Sequence, residues 1–262
     1  MGMAQAQTDT ETVLHNFAGL TRGAHPYGGV IRDPSGNLYG TTYSGGKSNA
    51  GVVFKVNTAG QETVLYSFTG GADGENPDGS LILDSAGSLY GTTYNGGTAR
   101  LGVVFKISPS GQETVLYSFC NLTGCPDGAI PHGGVIRDAS GNLYGTTQGG
   151  GTVDCGVVYK LSAAGEEAAL YSFTGGIDGA FPYAGVILDS AGNLYGTTLE
   201  GGAGGVGAVF EVSPSGQETV LYSFTGGTDG GQPQAGVIRD SAGNLYALPT
   251  LAEPRAKAWC TS

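Results

Sequence analysis

One phrase recurs along this chain at near-constant spacing, and that repetition limits the fold more than any other feature. E-T-V-L-Y-S-F begins at Glu62, Glu113 and Glu218, with the variants E-T-V-L-H-N-F at Glu11 and E-A-A-L-Y-S-F at Glu167; the steps are 51, 51, 54 and 51 residues. A second phrase, L-Y-G-T-T, begins at Leu38, Leu89, Leu143 and Leu194 and degrades to L-Y-A-L at Leu245. The longer step comes from three extra residues in the Cys120–Cys125 segment. A period of this size marks an architecture in which each repeat is one supersecondary unit stacked on its neighbours.

Each unit reads as four short strands. In the second unit these fall at 80–84, 89–94, 103–107 and 114–119. A turn over 84–88 joins the first pair and a Gly-rich loop over 95–102 the second. A Pro-Gly turn over 108–112 precedes the fourth strand. That strand alternates Val115, Tyr117 and Phe119 against Leu116 and Ser118. No segment has helical period or length. Glycine is 50 of 262 residues without the every-third period of collagen, and enough β-branched and aromatic residues remain to bury a core. The pattern predicts an all-β propeller of about five four-stranded blades, kelch-like in repeat length. A β-helix would use shorter coils, and a sandwich would not need near-identical units.

The expected boundaries are a disordered N-terminus or signal remnant over 1–10, a single propeller domain of five repeats over 11–246, and an aberrant tail over 247–262. The chain starts on a fourth strand, 12–17, and leaves the repeat after two strands of the fifth unit. Four blades are then complete, and the fifth is closed by the N-terminal strand but lacks a third strand. Such closure removes exposed sheet edges.

The formal charge of −11, from 11 basic and 22 acidic residues, repels phosphate backbones and argues against a nucleic-acid partner. No apolar run reaches the length of a membrane span. Ala4-Gln5-Ala6 resembles the small-residue end of a secretory signal, without the apolar stretch that should precede it.

Three phrases, L-Y-S-F-T-G-G-x-D-G, D-x-x-G-N-L-Y-G-T-T and G-V-V-F-K-x-S-P-S-G-Q, recur across 11–246. They resemble the GloVer tandem-repeat family of bacterial exported proteins. The resemblance implies a secreted or cell-surface, propeller-like repeat protein, and assigns no chemistry to any residue.

Comparison among the units separates blade positions from free ones. Asp33, Asp84, Asp138, Asp189 and Asp240 hold one turn position, where Asp caps backbone N–H groups. Calcium there would find too few converging carboxylates. Asp73, Asp127, Asp178 and Asp229 hold another, in the loop between units, with Arg22 in the first. Before the loop proline stand His25, Asn76, Ile130, Phe181 and Gln232; after it stand Tyr27, Asp78, His132, Tyr183 and Gln234. The second set begins the first strand, beside the channel mouth. Rings with amide, carboxylate and imidazole groups suit sugars, so His25, Tyr27, Asn76, Phe181, Tyr183, Gln232 and Gln234 are candidate ligand contacts. A varied, solvated loop is the plainer alternative. The first reading is a glycan or small-molecule binding or scaffold module, acting as a monomer. The second is a hydrolase (glycosidase, or metal-dependent esterase, lactonase or phosphotriesterase) using Asp78, His132 and Glu75, with Asp73 and Asp78 as calcium ligands. No cofactor is required by the sequence, and calcium is the ion these carboxylates could hold.

Cys120 and Cys125 bracket the insert and are expected to form a disulfide; a Cys125–Cys155 bridge is the alternative. Zinc, with His132 as a further ligand, would have poor ligand spacing. H-E-x-x-H, G-x-S-x-G and phosphate-loop motifs are absent.

The tail over 247–262 breaks the repeat and holds the only Trp, Trp259. Back-translated with one permitted codon set and re-read after one added base, it gives G-T-T-Y-L-G-G-A-A-G-K-G-V-V-Y-K. That is the continuation the repeat demands after L-Y, third strand included. The tail is therefore expected to be an out-of-frame translation after a one-base deletion, with Trp259 and Cys260 accidental; a genuine unique segment is the alternative. Sequencing of the coding DNA should return codons that allow this re-reading, and codons that forbid it leave a genuine segment.

Overall fold

A computed structural model describes residues 12–17 and 21–250 and the backbone of 259–261. Residues 1–10 and 251–258, on which the signal-remnant reading and most of the tail reading fall, lie outside the described residues.

The strands are β1 (Ile31–Arg32), β2 (Leu38–Thr42), β3 (Val52–Val56) and β4 (Glu62–Ser67) in blade one. Blade two holds β5 (Ile82–Leu83), β6 (Leu89–Thr93), β7 (Val103–Ile107) and β8 (Glu113–Ser118). Blade three holds β9 (Ile136–Arg137), β10 (Leu143–Thr147), β11 (Val157–Leu161) and β12 (Glu167–Ser172). Blade four holds β13 (Ile187–Leu188), β14 (Leu194–Thr198), β15 (Ala208–Val212) and β16 (Glu218–Ser223). Blade five has β17 (Ile238–Arg239), β18 (Leu245–Ala247) and β19 (Trp259–Thr261). Each sheet runs antiparallel in chain order, four strands in the first four blades and three in the fifth. The fold is a β-propeller. First strands shrink to two residues, shorter than the sequence suggested.

The expected closure by the N-terminal strand is not made. The third strand of the fifth sheet is β19, drawn from the tail, with Cys260 opposite Tyr246. Residues 12–17 belong to none of the sheets. They pack on blade one as the fourth strand of a preceding blade would. The Leu14 carbonyl lies 2.8 Å from where a Cβ on Gly60 would stand, matching 3.0 Å for Leu65 over Gly111 and 2.7 Å for Leu170 over Gly216. Apolar burial against Phe54 holds the segment there, with the Phe17 and Phe54 rings 4.8 Å apart.

Third strands are buried on both faces, Lys or Glu excepted, because each inner blade is sandwiched between two others. The core accordingly lies between blades. Phe68 and Val53 of blade one pack with Leu81, Val103 and Phe105 of blade two, and the other neighbouring pairs repeat the arrangement. The strict alternation expected of the fourth strands is broken by a register shift between Val53 and Phe54 and at the equivalent places in blades two to four. A β-bulge there turns consecutive residues toward one side. Both Leu65 and Tyr66 thereby reach the core between blades one and two.

Two further contacts draw the blades together. Thr92 Oγ1, on β6, donates to the Gly133 carbonyl of the next blade at 2.8 Å. Thr41 to Gly79, Thr146 to Ala184 and Thr197 to Ala235 do the same at 3.3, 2.7 and 3.0 Å. At the axis, Gly133 lies so close to Gly185 that a Cβ would overlap its backbone nitrogen.

The repeated Glu at the start of each fourth strand is held in an unusual environment. Burial, then the charge of Asp73, pushes Glu113 up to about 7. Glu167 facing Asp127 and Glu218 facing Asp178 are likewise pushed up to about 7, burial again being the larger cause. One carboxyl oxygen of each is buried without a hydrogen-bond partner. Glu62 instead meets His15 at 3.3 Å and Arg22 at 3.8 Å, which replace the Tyr and Asp of later units. Between the ordinary Glu value near 4.5 and about 7, the folded chain binds more protons at these three sites than the unfolded chain. Their contribution to stability is therefore full below that window and is lost as pH rises through it. Urea unfolding at pH 5 and pH 7.5 should show higher stability at pH 5, and the triple variant Glu113→Gln, Glu167→Gln, Glu218→Gln should lose most of that difference.

Candidate functional site

The segments leading into the first strands of all five blades line a cavity of about 1130 Å³. Below the mouth it is lined by Gly28–Gly29, 79–82, 133–136, 184–186 and Ala235–Gly236, mostly glycine, alanine and apolar residues with Ser80 among them. Its mouth carries Tyr27, Asp78, His132, Tyr183 and Gln234, the residues that follow the loop proline in each unit. Of the candidate contacts singled out from sequence, these five line the cavity.

The local chain path explains why. The residue before each loop proline is left-handed: φ is 59° at His25, 58° at Asn76, 61° at Ile130, 56° at Phe181 and 51° at Gln232. Its N–H bonds back to the preceding unit, as from Asn76 to the Ala50 carbonyl and from Ile130 to the Leu101 carbonyl, both at 2.8 Å. The proline then seats against a glycine of that unit; a Cβ on Gly51 would stand 2.5 Å from Pro77. Side chains before the proline are thus committed outside the cavity. His25 Nδ1 lies 2.7 Å from Ser44 Oγ, and Asn76 donates to the Tyr43 carbonyl at 2.8 Å. Phe181 and Gln232 also stand outside the cavity lining.

Two further tyrosines, Tyr43 and Tyr94, complete the mouth and were missed from sequence. They follow the invariant T-T of their units, where blades three and four have Gln148 and Leu199. That variation next to an invariant pair was the available signal. The rings form one line: Tyr27 to Tyr43 at 5.4 Å, Tyr43 to Tyr94 at 6.5 Å, Tyr94 to His132 at 4.6 Å, and His132 stacked on Tyr183 at 3.8 Å.

Asp78 and His132 meet within this line, Asp78 Oδ2 lying 2.6 Å from His132 Nδ1. A carboxylate there fixes the tautomer with hydrogen on Nδ1 and leaves Nε2 as acceptor. Nε2 bonds to none of the described residues and is not among the sealed, unpartnered atoms, so it reaches the cavity solvent. Burial, then the charges of Asp78 and neighbouring phenols, pushes the Tyr183 hydroxyl up. Burial, then Tyr94 and Asp78, does the same to Tyr43. Both stay protonated donors at neutral pH.

The remaining candidates lie apart. Glu75 pairs through its backbone with Asn95 and does not line the cavity. Asp73 is occupied by its own loop, accepting from the Tyr66 hydroxyl at 2.9 Å and from Thr69 N–H at 2.8 Å. Asp178 repeats this arrangement; burial opposes its charge, yet bonds from Thr174 and Tyr171 outweigh it and hold the carboxyl below its ordinary value. Asp73 and Asp78 are therefore not brought to one metal site. Among the described residues no three His, Cys, Asp or Glu groups are placed to hold a metal ion. Cys120 and Cys125 are joined as a disulfide, and Cys155 is a free thiol that burial pushes up.

An all-β propeller is the class of protein these features define, with the asymmetric rim of its central cavity as the candidate site. The chain belongs to the Gloeobacter/Verrucomicrobia repeat family, whose model matches residues 3–187 and 114–253. No match was found among curated protein sequences. Solved structures share the fold. A provisionally assigned gluconolactonase matches at 16% identity and a TM-score of 0.52, over 88% of this chain and 72% of its own. The PQQ-bound aldose sugar dehydrogenase of Streptomyces coelicolor matches at 16% and 0.52, over 94% and 84%. A puromycin hydrolase matches at 12% and 0.55 over 91% of this chain, which spans only 38% of that enzyme.

Left-handed backbone is costly for a β-branched residue, and Ile130 is the only one at the pre-proline position. Ile130→Asn should raise stability by about 1 kcal/mol, read as a higher urea midpoint at unchanged m-value.

Proposed function

We propose that the channel mouth binds a carbohydrate, or a ligand with similar polyhydroxylated rings, outside the cytoplasm. The observation that carries this reading is the unbroken line of rings from Tyr27 to Tyr183 around the cavity. Flat apolar ring faces stack on the C–H faces of a pyranose, while Asp78, His132, Gln234 and the phenol hydroxyls supply hydrogen bonds around its rim. Four residue types share the five mouth positions, with only tyrosine repeated, at Tyr27 and Tyr183, which suits one oriented ligand better than five equivalent weak sites. The Cys120–Cys125 disulfide supports an oxidising compartment.

The Asp78–His132 pair favours a second reading, hydrolysis of an ester or lactone. Nε2 of a carboxylate-oriented imidazole can take a proton from an attacking water and return it to the leaving oxygen. The donors at Tyr43 and Tyr183 would then face charge developing on the carbonyl oxygen.

A glycan array followed by calorimetry separates the two. The binding reading expects an oligosaccharide hit that Tyr183→Ala or Tyr94→Ala weakens at least tenfold, about 1.4 kcal/mol, and that His132→Gln leaves without turnover to lose. Chromogenic esters and lactones turned over by the native chain, and silenced by His132→Gln and Asp78→Asn, would establish the hydrolase instead. Neither binding nor turnover across both panels would remove the site from consideration.

A further inference from the structure

The two outermost faces of the blade array are halves of the interface that joins all the others. In blades two to five the residue before the first strand is sealed against the preceding blade: Leu81 is 1% exposed, Val135 2%, Val186 3% and Val237 3%. Its counterpart in blade one, Val30, is 54% exposed. On the far side, Ile31, Ile82, Ile136 and Ile187 are half-buried, whereas Ile238 of blade five is 70% exposed. Arg137 and Arg239 lie over Tyr90 and Tyr195 of the preceding blade, each 5.7 Å from the ring centre. Arg32 holds the same position, and among the described residues no ring faces it. Residues 12–17 already occupy the fourth-strand place of a blade preceding blade one, with no sheet of their own.

We propose that this seam is a docking site for one further blade of the same repeat, whose first three strands add to residues 12–17 as the fourth. The occupant is specified by what the faces lack. It must present apolar third-strand and second-strand side chains to Val30, a tyrosine to Arg32, an antiparallel edge to residues 12–17, and a glycine-lined first strand beside Ile238. Only a unit of this repeat offers all four in one register. Continuity with the four existing interfaces makes it a match of like with like, built on the same Thr-to-carbonyl bonds and interdigitated rings.

The test supplies that blade. Residues 1–10 are replaced by a second copy of residues 28–61, which runs into Glu11 in the register of the repeat. A second variant approaches from the other end, replacing 247–262 with a copy of 40–107. Val30→Cys and Ile238→Cys, each in a Cys155→Ala background with Cys260→Ala wherever the tail is kept, report the two faces by their rate of thiol labelling. Both reporters should label rapidly in the parent chain and at least tenfold more slowly in either lengthened chain. Protection of Val30→Cys with Ile238→Cys still open in both variants would mean a seam wider than one blade, and would overturn the proposal. So would equal labelling before and after lengthening in chains whose circular dichroism shows an intact fold. Protection of both reporters in the parent itself, lost on dilution, would place a second copy of the chain in the seam instead.

Discussion

The hydrogen bond from a buried threonine to the segment leading into the next blade's first strand is the contact on which the molecule turns. Thr41, Thr92, Thr146 and Thr197 each reach a carbonyl at the axis. A buried carbonyl left without a donor would cost about 1–3 kcal/mol, so the bond fixes the distance between neighbouring blades as well as joining them. At that distance only glycine or alanine fits in the segments that lead into the first strands, which is why the positions are Gly79, Gly133, Ala184 and Ala235. The inner lining is therefore mostly small or apolar, with Ser80 the one hydroxyl below the rim, and most of the chemistry enters at the rim.

The rim is supplied by one residue per unit, aimed by a left-handed residue and a proline. A repeated scaffold thus delivers four kinds of side chain to five equivalent places, tyrosine twice. Because the units have diverged there and just after the T-T pair, the site is asymmetric although the fold is nearly symmetric. One carboxylate and one imidazole, from adjacent blades, are brought to 2.6 Å by this geometry.

Between blades, polar groups are matched unit by unit. Glu113, Glu167 and Glu218 each face an Asp held by a Tyr hydroxyl, and share the burden of two carboxyls in one place by rising toward neutrality. In the first unit His15 and Arg22 replace Tyr and Asp, and Glu62 gains opposite charge instead of like charge. The substitution is a paired one, and it falls where the N-terminal segment stands alone without a sheet behind it. A segment that must hold by its own contacts benefits most from an ion pair in place of a like-charge one.

Much of this was legible in the sequence. The period gave the blades, the turn phrases gave most strand ends, and comparison of units picked out Tyr27, Asp78, His132, Tyr183 and Gln234 as the free positions near the channel. Variation alone could not say which way a side chain points. His25, Asn76, Phe181 and Gln232 vary just as much, yet a positive φ turns them out of the mouth, and dihedral angles are not written in residue type. Tyr43 and Tyr94 were passed over because the sequence reading took Tyr94 as the last residue of a second strand, whereas in the structure the strands end at Thr42 and Thr93 and the next residue reaches the rim. The placement of residues 12–17 and of β19 was likewise a tertiary decision. Local pattern says that a segment is a fourth strand; which edge it meets depends on which partner face is present to be buried, and that is settled across the whole array.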